Sequence, residues 1–250
     1  MRERIRELRQ RLLAQVERAE SGLKRGTQFR QAAYAFLRRA RSIDKAIWLL
    51  LDNQSVAEAA ILFRSQLNLL WCFLFMVDAR TVDGRFQFDS DPDESSNSYR
   101  RAAKYLSWQW VQLYRVSPSP LTKKKFDCVI RDLGYASEAD VPEHWYQEGK
   151  IRHIKHLAET VGALAQYEED YSHLSGIEHS DITAVIVEGM ESNRYGDFIA
   201  FKSSQALETV MDFTIPICGC TPEDDWKQFV AEFNTVNDQV ARERPARDGA

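Results

Sequence analysis

With 250 residues, 44% of them hydrophobic and 28% charged, the chain has the apolar material for a sizeable core, which excludes a disordered polymer. Eleven glycines and seven prolines are too few for a turn-rich all-β architecture. The net charge of −4 is unevenly spread: residues 1–41 carry twelve Lys or Arg against four Glu, a surplus of eight, which leaves the remainder at about −12.

That asymmetry predicts either a basic surface for an anionic partner or an arm that docks on an acidic body, its own or a neighbour's. The expected organisation is a basic helical arm over residues 1–27, a single helical bundle domain over 28–242 and a polar, fraying tail over 243–250.

Along the arm, Ile5, Leu8, Leu12, Val16, Ala19 and Leu23 recur at steps of three and four, which predicts a packing helix with a heptad flavour. Gly22 and Gly26 bracket its end. Residues 29–51 repeat the pattern through Ala33, Phe36, Leu37, Ala40, Ile43, Ile47 and Leu50, so the first two helices are expected to pack antiparallel. Ser55 and Glu58 have capping-box spacing and start a third helix that runs to about residue 79. Its LLWCFLFMV stretch is apolar all round, as in the central helix of a bundle. Arg64 and Asn68, four apart, share one of its faces, and a charge on so apolar a helix needs a partner.

Residues 83–98 combine acids, Ser, Asn, Gly and Pro, which predicts a solvated loop and the chain's best candidate for disorder. Helices are expected over 99–114 and 121–133, separated by an SPSP segment whose prolines resist continuation, the second closing at Gly134. Lys123, Lys124 and Lys125 make a solvated face. Residues 151–164 and 167–178 predict helices broken or kinked near Gly162. The ITAVIV run at 182–187 predicts one more buried helical turn, and 198–217 and 222–240 predict two closing amphipathic helices. The fold class is therefore all-α, a multi-helix bundle of mostly antiparallel helices.

Cys72, Cys128, Cys218 and Cys220 lack paired C-x-x-C spacing, so no structural zinc is expected. MRERIRELRQ has no apolar signal core, and the longest apolar run is shorter than the ~20 residues of a membrane span. A reduced, cytoplasmic setting without a membrane crossing follows as the expectation. Phosphate loops, dinucleotide turns, G-x-S-x-G elbows and H-E-x-x-H helices are missing from the sequence. His153 and His156 with Glu159, and Glu169 with His173, are incomplete ligand sets, so neither a cofactor nor a metal is expected.

Polar chemistry concentrates between Trp145 and Asp181, where Tyr171, Ser175 and His179 recur every four residues. On an α-helix such positions share a face, so phenol, hydroxyl and imidazole form one stripe that is either a site or a buried network. The Arg64 helix, the tryptophan of HWYQEGKI and the segment YSHLSGIEHSD resemble a bacterial all-helical family known only as a domain of unknown function, over most of residues 30–215. That family is in turn distantly similar to the HEPN group, many of whose members are metal-independent ribonucleases of defence and toxin systems.

The resemblance implies a HEPN-like bundle with Arg64, Tyr171, Ser175 and His179 as catalytic candidates. His179 would take the proton of a ribose 2′-hydroxyl, while a guanidinium offsets charge on the phosphoryl oxygens. The group's arginine a few residues ahead of the histidine is replaced here by Ser172, His173 and Leu174, so the cation would come from Arg64 or Arg152 on another helix. The partners implied are RNA or another anionic ligand, and a second copy of the chain through the N-terminal helices. Two alternatives stand beside it: a structural polar network in a non-enzymatic interaction or scaffold protein, and Ser175 as a nucleophile with His179 as its base.

Overall fold

A computed structural model describes residues 1–23, 26–82, 85–171, 174, 192–219 and 224–242. The helices are α1 (Arg2–Leu23), α2 (Gln28–Asp52), α3 (Val56–Met76), α4 (Asn97–Val116), α5 (Pro120–Asp132), α6 (Ile154–Thr160), α7 (Leu164–Gln166), α8 (Ser192–Ile217) and α9 (Asp224–Arg242). Strands β1 (Arg80–Val82) and β2 (Arg85–Gln87) pair antiparallel with Thr81 opposite Phe86, the one sheet among the described residues. The all-α class expected from composition and periodicity holds. Contacts divide the chain into two compact units, residues 1–24, 34–70 and 165–250 in one, residues 25–33 and 71–164 in the other.

In the first unit, Ile5, Leu8, Leu12 and Val16 bury the stripe of α1. Arg6 bonds Asp52 at 2.7 Å, Arg9 bonds Asp44 at 2.7 Å, and Arg41 reaches back to Glu17 and, at 3.0 Å, to Glu20, so α1 and α2 run antiparallel. Arg2 meets Asp197 at 2.6 Å and Cys218 Sγ donates to Ala19 O at 3.6 Å, so α8 lies parallel to α1. A Cβ at position 196 would stand 2.2 Å from Arg2 Nη2, so any side chain there would make the flexible tip of Arg2 move aside. Arg4 to Gln239 at 3.2 Å and Arg11 to Glu232 at 2.6 Å set α9 antiparallel to α1. Phe201 stacks on Phe233 and Trp226 Nε1 donates to Asp212 at 3.2 Å, which makes α8 and α9 an antiparallel pair.

These pairs account for much of the basic surplus near the N-terminus, because the arginines of α1 find carboxylates on α2, α8 and α9. The apolar stripe of α1 is covered by the same helices that neutralise its charges, and the contacts group it with them.

In the second unit, Ser96 caps α4 by accepting from Tyr99 N–H at 3.1 Å. Ser119 and Thr122 form a reciprocal capping box with Pro120 at the first turn of α5, a start signal within the SPSP segment that sequence reading took only as a stop. The far end of α5 closes at Gly134, φ +76°, with Tyr135 N–H on Ile130 O and Gly134 N–H on Arg131 O, a Schellman arrangement. Phe75 and Tyr105 hold Trp145, with ring centroids 6.0 and 5.2 Å from it, so the tryptophan of HWYQEGKI is core.

Two expectations need correction here. The stretch 83–98 is not a featureless solvated loop: Arg85–Gln87 is a strand, and Asp89 and Asp93 accept backbone N–H groups two residues on, at 3.0 and 2.8 Å, forming side-chain-anchored turns. The helix expected over 151–164 is shorter, Ile154–Thr160, and ends in the turn at Gly162. Among the described residues α3 alone is long and apolar enough to cross a membrane, and 67% of its apolar window is buried in the fold. The ITAVIV run, Cys220 and the tail 243–250 lie outside the described residues.

Candidate functional site

Arg64 comes from the middle of α3. Tyr171 ends a π-helical turn, Tyr167–Tyr171, that follows α7. The guanidinium carbon of Arg64 lies 4.6 Å from the centroid of the Tyr171 ring, a cation–π contact on a phenol only 4% exposed. Tyr167 stacks on the same ring at 5.0 Å with 22° between the planes. Arg64, Tyr171 and Tyr167 therefore form one group in the first unit, with the buried Asp170 beside it in sequence.

The π-turn corrects the uniform α-helix expected over 167–178. Its i→i+5 hydrogen bonds widen the turn, so a strict four-residue face does not run through it. Such turns recur at functional sites, where one inserted residue re-aims a side chain. Ser175, His179 and His173 lie outside the described residues, so of the four expected members the structure describes two, Arg64 and Tyr171, and these are in contact.

Asn68, one turn beyond Arg64, adds a polar atom. Its Oδ1 is buried and accepts no hydrogen bond from any described residue. A buried acceptor left so costs about 1–3 kcal/mol, and a hydroxyl or imidazole donor would remove the cost.

A second polar group in the same unit behaves differently. Asp44 is wholly buried on α2, and accepts from Arg9 Nε at 2.7 Å and from Ser203 Oγ at 2.9 Å. Gln66 Nε2 donates to the Ser203 carbonyl at 3.0 Å. Burial pushes the Asp44 carboxyl above its usual range, against the pull of Arg9 and the Ser203 hydroxyl. Both carboxylate oxygens are bonded and the group joins four helices, so it is a structural network. Sequence reading missed it, because Asp44 and Ser203 are 159 residues apart.

The other candidates belong to the second unit. Arg152 is exposed in the second unit, and its N–H donates to His156 Nδ1 at 3.3 Å. His153 and His156 stack on each other, centroids 3.8 Å apart, and no group of three or more metal-binding side chains gathers among the described residues. Burial pushes the Cys72 thiol up to about 12, which leaves it unreactive near neutral pH. Lys123 pairs with Asp127 one turn on, as a solvated face does. Comparison with protein families, with curated proteins and with solved structures finds no match.

Proposed function

We propose that the protein is a HEPN-like, cytoplasmic RNA-binding protein that cleaves RNA without metal, with Arg64, Tyr171, Ser175 and His179 as its site. The observation that supports this reading is the Arg64 guanidinium stacked at 4.6 Å on Tyr171, at the start of the Tyr/Ser/His motif. Stacking engages the face of the guanidinium, while its N–H donors lie in the plane by which arginine takes phosphate oxygens in pairs. His179 then removes the proton of the 2′-hydroxyl, and the 2′-oxygen attacks the adjacent phosphorus while the bond to the 5′-oxygen breaks. The products are a 2′,3′-cyclic phosphate and a 5′-hydroxyl that takes its proton from the His179 imidazolium, and Arg64 offsets the charge on the phosphoryl oxygens. Tyr171 positions the guanidinium.

The test is one panel: wild type, His179→Ala, Arg64→Ala and Tyr171→Phe, each assayed for RNA cleavage in chelator and for thermal stability. The expected result is that His179→Ala loses cleavage while its melting temperature holds or rises, since active sites are kept at a cost in stability. No cleavage by any form across varied RNAs overturns the nuclease. The scaffold reading shares the same contact as plain packing, and it expects Arg64→Ala to lose stability with no RNA phenotype. A second copy of the chain is the other partner proposed, through the N-terminal helices, where Leu49 on α2 is 65% exposed. Sedimentation as a monomer that Leu49→Ser leaves unchanged overturns that part.

A further inference from the structure

The second unit holds a cavity of about 590 Å³ whose walls include Arg100, Arg101 and Lys104 from α4, Tyr135 after α5, and Glu148 and Lys150 from the loop ahead of α6. Arg100 and Lys104 are four apart and share a helix face, so α4 delivers two cations side by side. Arg101 is fixed in place: Nε donates to Glu148 at 2.9 Å, Nη1 donates to Asp78 and to the Phe75 carbonyl at 2.9 Å, and the guanidinium sits 3.7 Å over the Phe75 ring.

Lys104 has no such support. Only 8% of it is exposed, and its ammonium makes neither an ion pair nor a hydrogen bond with a described residue; the Trp108 ring, 5.9 Å away, is what it faces. Burial holds its pKa below the ordinary lysine value; Glu148 opposes the shift and the neighbouring Arg100 and Arg101 add to it. A buried cation beside two guanidinium groups is costly to the fold, and an anion entering the cavity would offset that cost.

Four cations on the walls against Glu148, and against Asp78, which Arg101 also holds, leave a surplus of two positive charges. A monocarboxylate balances one of these, whereas a phosphate dianion balances two. The volume falls in the range of about 300–1,000 Å³ typical of small-molecule sites. The half-buried Tyr135 adds aromatic wall for an organic body, whereas the Phe75 ring beneath is covered by Arg101.

We propose that this cavity binds a small phosphate monoester of nucleotide size, its dianion among Arg100, Lys104 and Lys150 and its organic part against Tyr135. The proposal is independent of the RNA site, because it uses none of that site's residues. The experiment is calorimetry on the full chain with inorganic phosphate, adenosine 5′-monophosphate and adenosine as probes, at low and high salt. The monophosphate is expected to bind, phosphate to compete with it, adenosine to fail, and affinity to fall as salt rises. Lys104→Met is expected to weaken monophosphate binding at least tenfold while the melting temperature holds or rises, and the exposed Lys150→Ala to weaken it severalfold. The Lys150 variant keeps the test decisive should Lys104→Met fail to fold. Adenosine binding as tightly as its monophosphate, no binding of either phosphate-bearing probe, or folded variants that bind like wild type would overturn the proposal.

Discussion

Arg9 Nε meets Asp44 Oδ2 at 2.7 Å, and the carboxylate it neutralises is completely buried. Removing the cation strands a charge in the core, so Arg9→Met is expected to cost about 3–5 kcal/mol at neutral pH. The pH dependence follows from the direction of the shift. A carboxyl whose folded pKa is raised binds its proton more tightly in the folded state, so the cost is full above that pKa and fades as pH falls toward the unfolded value. Chemical denaturation of both proteins across a pH series checks it, and a gap that does not narrow as pH falls refutes it.

Glu208 on α8 stands one turn from Asp212, and burial, with the Asp212 charge adding to it, raises its pKa from 4.5 to about 7. Between those values the folded chain holds a proton that the unfolded chain releases, so stability declines as pH rises through the window. Glu208→Gln is expected to stabilise the protein above pH 7 by up to about 3 kcal/mol, at ~1.36 kcal/mol per pKa unit, and to do little near pH 4.5. Unfolding curves that respond to Glu208→Gln identically at pH 8.5 and pH 5 refute this.

The Arg64–Tyr171 stack is measurable as a coupling. In a double-mutant cycle with Arg64→Met and Tyr171→Leu, the interaction energy is expected to be about 0.5–2 kcal/mol. Additive single effects would mean that the two side chains are neighbours without attraction.

Gly134 isolates a backbone effect. Its φ is +76°, and a methyl group there meets nothing within 4 Å, so Gly134→Ala has no steric cost beyond the left-handed conformation. The expected loss is about 1–2 kcal/mol by thermal melting, with no change in ligand behaviour. An unchanged melting temperature would show that the end of α5 relaxes out of this conformation.

The long helices were legible because each carries an apolar stripe of the right period: Ile5, Leu8, Leu12 and Val16 were expected inside, and they are buried. Periodicity shows which face turns inward and says nothing of what covers it, which is why the parallel pairing of α1 with α8 was invisible. Strands of three residues are too short to display alternation, and the aspartates that anchor turns after β2 have the composition of a loop. The π-turn changes hydrogen-bond register without changing residue types. Within the sites, Arg64 and Tyr171 stood out as polar groups on apolar or patterned helices. Arg100 and Lys104 carry no pattern that sets them apart in the sequence, and only the fold brings Lys150 to them from a distant loop.

The Arg2–Asp197 pair also sets a timetable for synthesis. Its partners are 195 residues apart, and at about 5–20 residues per second the ribosome needs roughly 10–40 s to deliver the second after the first. For that interval the apolar stripe of α1 has α2 to lie against while α8 and α9 do not yet exist. A nascent chain stalled before residue 192 should therefore expose Leu8, Leu12 and Val16 to holding chaperones, and release them only when the closing helices emerge.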